Sequence, residues 1–303
     1  MKKIFVLSVL LFFCAQSYAC PICGCGVGNF YMGLLPNFQS KFIGVRYQYL
    51  HYHTQLTDEP EEFSNDYYKT VELWGGFSIG KQWQLLAYVP YQLNTLHSDE
   101  GTKKLNGLGD ISLIANYKLL DKTNTSSNGK STVQQLWIGG GLKLPAGKYR
   151  IDIYNPETEI GDVNSQQGTG STDFLLNATY DIRFNKFGIN TTANYKINTT
   201  NNEQYHFGNR FNAASLAYYQ VNLKNIVVTP NAGFMYQHSA ENDFSNAKVE
   251  QTGGYLALSV IGAEISIKRI AIGANVQLPI SQDFASGQTE SKTRGMVHVS
   301  FSF

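Results

Sequence analysis

GMVHVSFSF, residues 295–303, alternates without exception: Val297, Val299, Phe301 and Phe303 point one way, His298, Ser300 and Ser302 the other. Successive side chains of a β-strand leave on opposite faces, so this segment is apolar on one side and polar on the other. Such alternation over ~10-residue segments is what a transmembrane barrel requires, because one face meets lipid and the other a polar lumen. A soluble sandwich would bury the apolar face instead, so alternation alone leaves both folds open.

The same period recurs upstream. Ile111, Leu113, Ala115, Tyr117 and Leu119 oppose Asp110, Ser112, Asn116 and Lys118. Phe174, Leu176, Ala178, Tyr180, Ile182 and Phe184 oppose Asp173, Asn177, Thr179, Asp181 and Arg183. Phe187, Ile189, Ala193, Tyr195 and Ile197 oppose Asn190, Thr192, Asn194 and Lys196. Twelve strands are expected, near 41–53, 68–79, 82–95, 107–119, 133–145, 170–184, 186–198, 206–221, 225–238, 251–263, 268–279 and 293–303.

Connection lengths separate the two folds. Those after odd-numbered strands are long or polar (54–67, 96–106, 146–169, 199–205, 239–250, 280–292), while those after even-numbered strands are tight (80–81, 185, 222–224, 264–267) except 121–132. Short turns at one end and long loops at the other are the pattern of an outer-membrane barrel with both termini in the periplasm. Aromatics gather near strand ends (Tyr47, Tyr49, Trp83, Tyr91, Tyr117, Phe184, Tyr195, Tyr219, Phe301, Phe303), as interfacial girdles do. Phe303 ending its strand resembles the assembly signal of bacterial outer-membrane barrels. The expected fold is therefore all-β: a transmembrane antiparallel up-and-down barrel of about twelve strands over 39–303.

Composition agrees with an exported β protein: 303 residues with 28 glycines, 19 tyrosines, 18 phenylalanines and a net charge of +1. That balance argues against a nucleic-acid partner, which would want a basic surface. Lys2 and Lys3 precede an apolar run from Ile4 to Phe13, and Ser17 and Ala19 sit at −3 and −1 of a cleavage site before Cys20, so 1–19 reads as a secretory signal. The run is too short for a spanning helix, which needs ~20 residues. Outer-membrane location follows, with membrane lipid as the surrounding partner and a small molecule or ion as the solute.

Residues 20–38 are too short for a domain but could fold into a barrel mouth. Gly24, Gly26, Gly28 and Gly33 allow close packing, and Phe30, Tyr31, Met32, Leu34 and Leu35 offer an apolar face, so a periplasmic-side plug or cap is expected. Cys20, Cys23 and Cys25 cluster here, and no cysteine follows. Three soft sulfurs in a glycine-rich turn suit Cu(I), or Zn(II) with a further ligand. In an oxidising periplasm a Cys20–Cys23 disulfide with Cys25 left over is the simplest alternative, and lipidation of Cys20 is another. No cofactor is required by any of these readings.

Three segments carry a recognisable pattern: GLGDISLIANYKL (107–119), GGGLKLPAGKY (139–149) and GTGSTDFLLNATYDIRF (168–184). In content, order and spacing they resemble the motifs of the meta-pathway phenol-degradation outer-membrane family. The resemblance covers most of the barrel but not the cysteine head, and it implies a transporter of aromatic compounds. Locally, Gly107 and Gly109 permit tight entry into a strand, Asp110 can bond local backbone or a lumen base, and Pro145 ends a strand where it removes no ladder bond.

The inward faces are expected to carry Arg46, Glu72, Asp110, Lys118, Lys143, Asp173, Asp181, Arg183 and Lys196. Opposite charges within one narrow lumen would either cross-link it or leave a polar passage. His51, His53, His97, His206 and His238 all fall at the outer mouth, where they could capture a soft or borderline cation if they converged. No G-x-S-x-G, H-E-x-x-H or phosphate loop appears, so catalysis is not expected. The function expected is an outer-membrane transporter passing an aromatic or apolar compound, or a metal ion. The alternative is a non-conducting structural or metal-sensing barrel.

Overall fold

The computed structural model describes residues 41–55, 63–99, 101–149 and 165–303. The expected signal and cap, and with them all three cluster cysteines, lie outside the described residues. Twelve wall strands follow in order: β1 (Phe42–Gln55), β2 (Phe63–Ile79), β3 (Trp83–Ser98), β4 (Gly101–Leu108, continued after a break by Ile111–Thr125), β5 (Ser131–Leu144) and β6 (Asp173–Phe184). Then come β7 (Phe187–Ile197), β8 (Arg210–Tyr219), β9 (Ile226–Ser239), β10 (Gly254–Ile267), β11 (Ile270–Phe284) and β12 (Arg294–Ser302). Each pairs antiparallel with the next, and β12 returns to β1 from Phe42↔Ser302 to Tyr49↔Gly295. The sheet closes on itself, so no open edge meets lipid.

The two faces behave as the alternation requires. Val297, Val299 and Phe301 are each about half exposed on the outside, whereas His298 and Ser300 are 3% exposed within. Ile43, Val45, Leu73, Leu85, Leu113, Phe174 and Ile272 continue the outer apolar band. Tyr47, Trp83, Tyr91, Tyr195, Tyr219 and Phe303 stand exposed toward its two borders. In a protein interior this distribution would be inside out, and in a bilayer it is the stable one.

The structure corrects several boundaries. The loop expected at 96–106 is a hairpin: β3 runs on to Ser98 and pairs with Gly101–Leu108 from Ser98↔Gly101 to Tyr91↔Leu108. The anomalous connection 121–132 is likewise strand, paired to Thr125↔Ser131 around a turn held by Ser126 N–H to Lys130 O at 2.9 Å. Both segments project beyond the bilayer, where each face meets water and no apolar alternation marks the strand. EISI, 264–267, completes β10, and the turn is instead Lys268–Arg269, with Lys268 at φ 53°. With these changes the periplasmic connections are short turns and the outer connections 198–209, 240–253 and 285–293 are long, whereas β3 and β4 meet in a tight outer turn.

Above the outer mouth a small second sheet joins Tyr205–His206, Asp243–Phe244 and Ala247–Lys248. Tyr205 and Phe207 form its core, with Tyr149, Phe244 and Val249 packed against them.

Candidate functional site

The three sequence motifs meet at one place in the outer half of the lumen. Asp110, in the break between the two parts of β4, accepts from Gly147 N–H through Oδ1 at 3.0 Å. Its Oδ2 accepts from Thr169 N–H at 3.0 Å, from the Thr169 hydroxyl at 3.2 Å and from Lys143 Nζ at 2.7 Å. Lys143 also reaches Asp173 Oδ2 at 2.7 Å and donates to Thr169 Oγ1. One ammonium between two carboxylates gives buried charges of both signs a partner, without which each would be costly inside the wall.

This clamp folds the segment 165–172 inward. Ser165, Gln167, Thr169 and Ser171 are buried, and Gln92 Nε2 donates to Gln167 O at 3.0 Å. Gly168 is needed for the close approach, since a Cβ there would stand 2.6 Å from Asp110 Oδ1. Asn201 Nδ2 donates to Thr169 O at 3.0 Å, tying the inward segment to the small outer sheet. Lys196 and Arg210, cross-strand partners on β7 and β8, are buried on the same side.

Toward the periplasm a second row of polar groups follows the cross-strand register. Glu72, Arg46 and His298 occupy β2, β1 and β12 side by side, Gly273 comes next on β11, and Glu264 follows on β10. Arg46 is ion-paired to Glu72 and lies over the Trp74 ring at 5.4 Å. His298 Nε2 is 2.7 Å from Glu264 Oε1, reaching across the strand that separates them. Gly273 makes this possible, because a Cβ there would collide with both groups. Phe42, Trp74 and Tyr88 pack around the row, with Trp74 edge-on to His298 at 5.7 Å.

Near the same end, Asp181 accepts from Tyr218 and from Asn190, Arg183 donates to Gln220 at 2.9 Å, and Lys118 pairs with Asp121 beneath the Trp137 ring. Thus Arg46, Glu72, Lys118, Lys143, Asp173 and Lys196 are buried on the inner face, Asp181 and Arg183 half-buried there, and Asp110 buried through its carboxylate at the strand break.

A third lining was not anticipated. Leu50, Leu216, Met235, Leu256, Leu258, Val260 and Met296 also face inward, forming an apolar wall over β8, β9, β10, β12 and β1. Leu256 and Leu258 are fully buried, while Ala257 and Ser259 take the outer face. The signal lay in LALSV, 256–260, where inward parity carries Leu, Leu and Val and outward parity Ala and Ser.

The rim histidines do not converge. His51 and His53 share Asn65 Oδ1 on the outside of the wall at 3.3 and 3.0 Å. His97 bonds Thr102 on the projecting hairpin, His206 bonds Asp243 and the Asn198 carbonyl, and His238 stands exposed on β9. Among the described residues no group of three or more His, Cys, Asp or Glu side chains is placed to hold a metal ion. The sixth histidine, His298, is the one inside the lumen.

No family model and no curated protein sequence matches the chain. Among solved structures it is similar to an outer-membrane channel from Pseudomonas putida F1, with a TM-score of 0.60 at 13% identity over 95% of this chain and 98% of that one. It is also similar to the β domain of the Bordetella autotransporter BrkA, with a TM-score of 0.51 at 11% identity over 87% of this chain and 100% of that one. At these identities the likeness is one of fold: the chain is an outer-membrane β-barrel.

Proposed function

We propose that the protein is an outer-membrane channel for a small, largely apolar solute such as an aromatic compound. The observation that carries this reading is the inward apolar wall of Leu50, Leu216, Met235, Leu256, Leu258, Val260 and Met296 within a lumen that elsewhere carries many polar and charged groups. Ligand sites for apolar molecules combine such a surface with a few fixed polar groups, here the Asp110–Lys143 clamp above and the Arg46–His298 row below. A metal-ion solute has less support, since the rim histidines stand apart.

Gating is assigned to residues 20–38. Lys41, the first described residue, stands at the end with the short turns, where Phe303 N–H donates to its carbonyl at 2.9 Å, and the segment before it is proposed as a cap on that mouth. Its apolar residues match the apolar wall, and its thiols would lie on the periplasmic side, free to take Cu(I) or Zn(II) or to form a disulfide.

Planar-bilayer recording tests the reading. The chain lacking residues 20–36 should give a stable conductance larger than that of the intact protein, and a small aromatic solute should block it. Silence of both forms would instead support a non-conducting structural barrel.

A further inference from the structure

The lipid side of the wall carries a groove of about 360 Å³ that the channel reading does not use, formed where small residues replace the outer apolar band. Gly295 on β12 and Ala274 on β11 make its floor, with Tyr47 and Tyr49 of β1 on one side and Val276 and Ile261 on the other. Register places the two tyrosines beside it, Tyr49 opposite Gly295 and Tyr47 opposite Val297. The volume falls within the range of ordinary ligand pockets, ~300–1,000 Å³.

What lies above the groove distinguishes it from a dent filled by any bilayer hydrocarbon. His51 and His53 continue the face of Tyr47 and Tyr49 toward the outer end of β1, and Lys69 is the cross-strand partner of Tyr49. The ring of Tyr67 stacks on His51 at 4.5 Å. Asn65 Oδ1 lies within hydrogen-bonding distance of a ring nitrogen of each histidine. Glu290, opposite His53, and Asp283, exposed beside it on β11, are acidic groups of this face, and the bond of Glu290 to Lys292 both holds its carboxyl below the usual range and offsets its charge.

We propose that this site binds one phosphorylated glycolipid of the outer leaflet, an acyl chain lying in the groove and a phosphate held by Lys69 and His51. Charge complementarity selects the lipid: the Lys69 ammonium is level with the groove's outer end, across β1 from Gly295, with the His51 ring next above it, and charge-assisted bonds from an ammonium to phosphate are strong. The tyrosines bridge the two regions, each presenting an apolar ring and a polar tip.

The full-length chain, extracted in mild detergent, is measured by native mass spectrometry with added lipid A, dephosphorylated lipid A or phosphatidylethanolamine. Lipid A should be retained at one copy and at least tenfold more tightly than either of the others. Lys69→Glu should remove the phosphate preference. Gly295→Leu should fill the groove, and because the nearest atom to its Cβ is Asn275 O at 3.6 Å it should fold normally, as its heat-modifiable gel mobility would verify. Retention of lipid A by both variants at the wild-type level, or equal retention of the dephosphorylated lipid by the wild type, would overturn the proposal.

Discussion

Lys143 Nζ lies 2.7 Å from Asp110 Oδ2, a contact that joins the strand break after GLG to the strand before PAG. Because Thr169 and Gly147 bond the same carboxylate, this pair positions the inward segment 165–172 as well as neutralising itself. Asp110→Ala should therefore leave Lys143 sharing Asp173 alone and release the segment. Removing one partner of a buried pair costs ~3–5 kcal/mol, which should lower the urea midpoint of the detergent-solubilised barrel markedly. Limited proteolysis should find a new cut within 165–172, and an unchanged digestion pattern there would refute the clamp.

His298 and Glu264 meet only because residue 273 has no side chain. Gly273→Ala should cost ~1–3 kcal/mol through overpacking, measured as a lowered temperature of the heat-modifiable mobility transition. Gly295→Ala, whose Cβ meets nothing closer than 3.6 Å, should stay within ~0.5 kcal/mol of wild type. Equal behaviour of the two variants would contradict the assigned packing.

The outer sheet should loosen in acid. Asp243 bonds Lys248 and also His206, and the hydrogen bond from Lys248 above all holds its carboxyl below the usual range. A carboxyl whose folded value lies below its unfolded value contributes stability above the unfolded value, ~4, and loses it as pH falls through the folded one. The contribution is below ~1 kcal/mol at so exposed a pair. Amide exchange at Phe244 and Ala247 should accelerate between roughly pH 5 and 3, and Asp243→Asn should abolish that dependence.

The apolar wall should govern solute affinity rather than ion flow. Leu258→Asn and Leu256→Asn each remove a fully buried aliphatic side chain, worth ~1.5–3 kcal/mol of apolar contact. Block of the current by a small aromatic solute should need about tenfold more solute in either variant, with open-channel conductance little changed. Undiminished block would place the solute elsewhere.

Strand existence and face were legible wherever lipid lies on one side and the lumen on the other, as in 173–184 and 187–197. They were illegible in 96–106 and 121–132, where water lies on both sides and Lys, Thr and Asn satisfy either face. The convergence of Asp110, Lys143 and Thr169 could not be read from residues 59 positions apart, although each motif drew attention by its glycines. The apolar wall was not legible because β10 carries Leu256, Leu258 and Val260 on the same inward parity as Glu264, so that polarity alone does not mark its inner face. The pairing of His298 with Glu264 depends on a third strand supplying glycine between them, a relation that exists only once the barrel has closed.

Val299 and Ser300, adjacent in sequence, should face different solvents. Single cysteines at each position, in a chain with Cys20, Cys23 and Cys25 changed to serine, can carry a spin label for accessibility measurement in proteoliposomes. At Val299 the label should be relaxed strongly by oxygen dissolved in lipid and weakly by a water-soluble nickel chelate. At Ser300 oxygen relaxation should fall well below that at Val299. Equal lipid exposure at the two sites, or a label at Val299 shielded from oxygen, would contradict a lipid-facing wall around a lumen and remove the basis for transport.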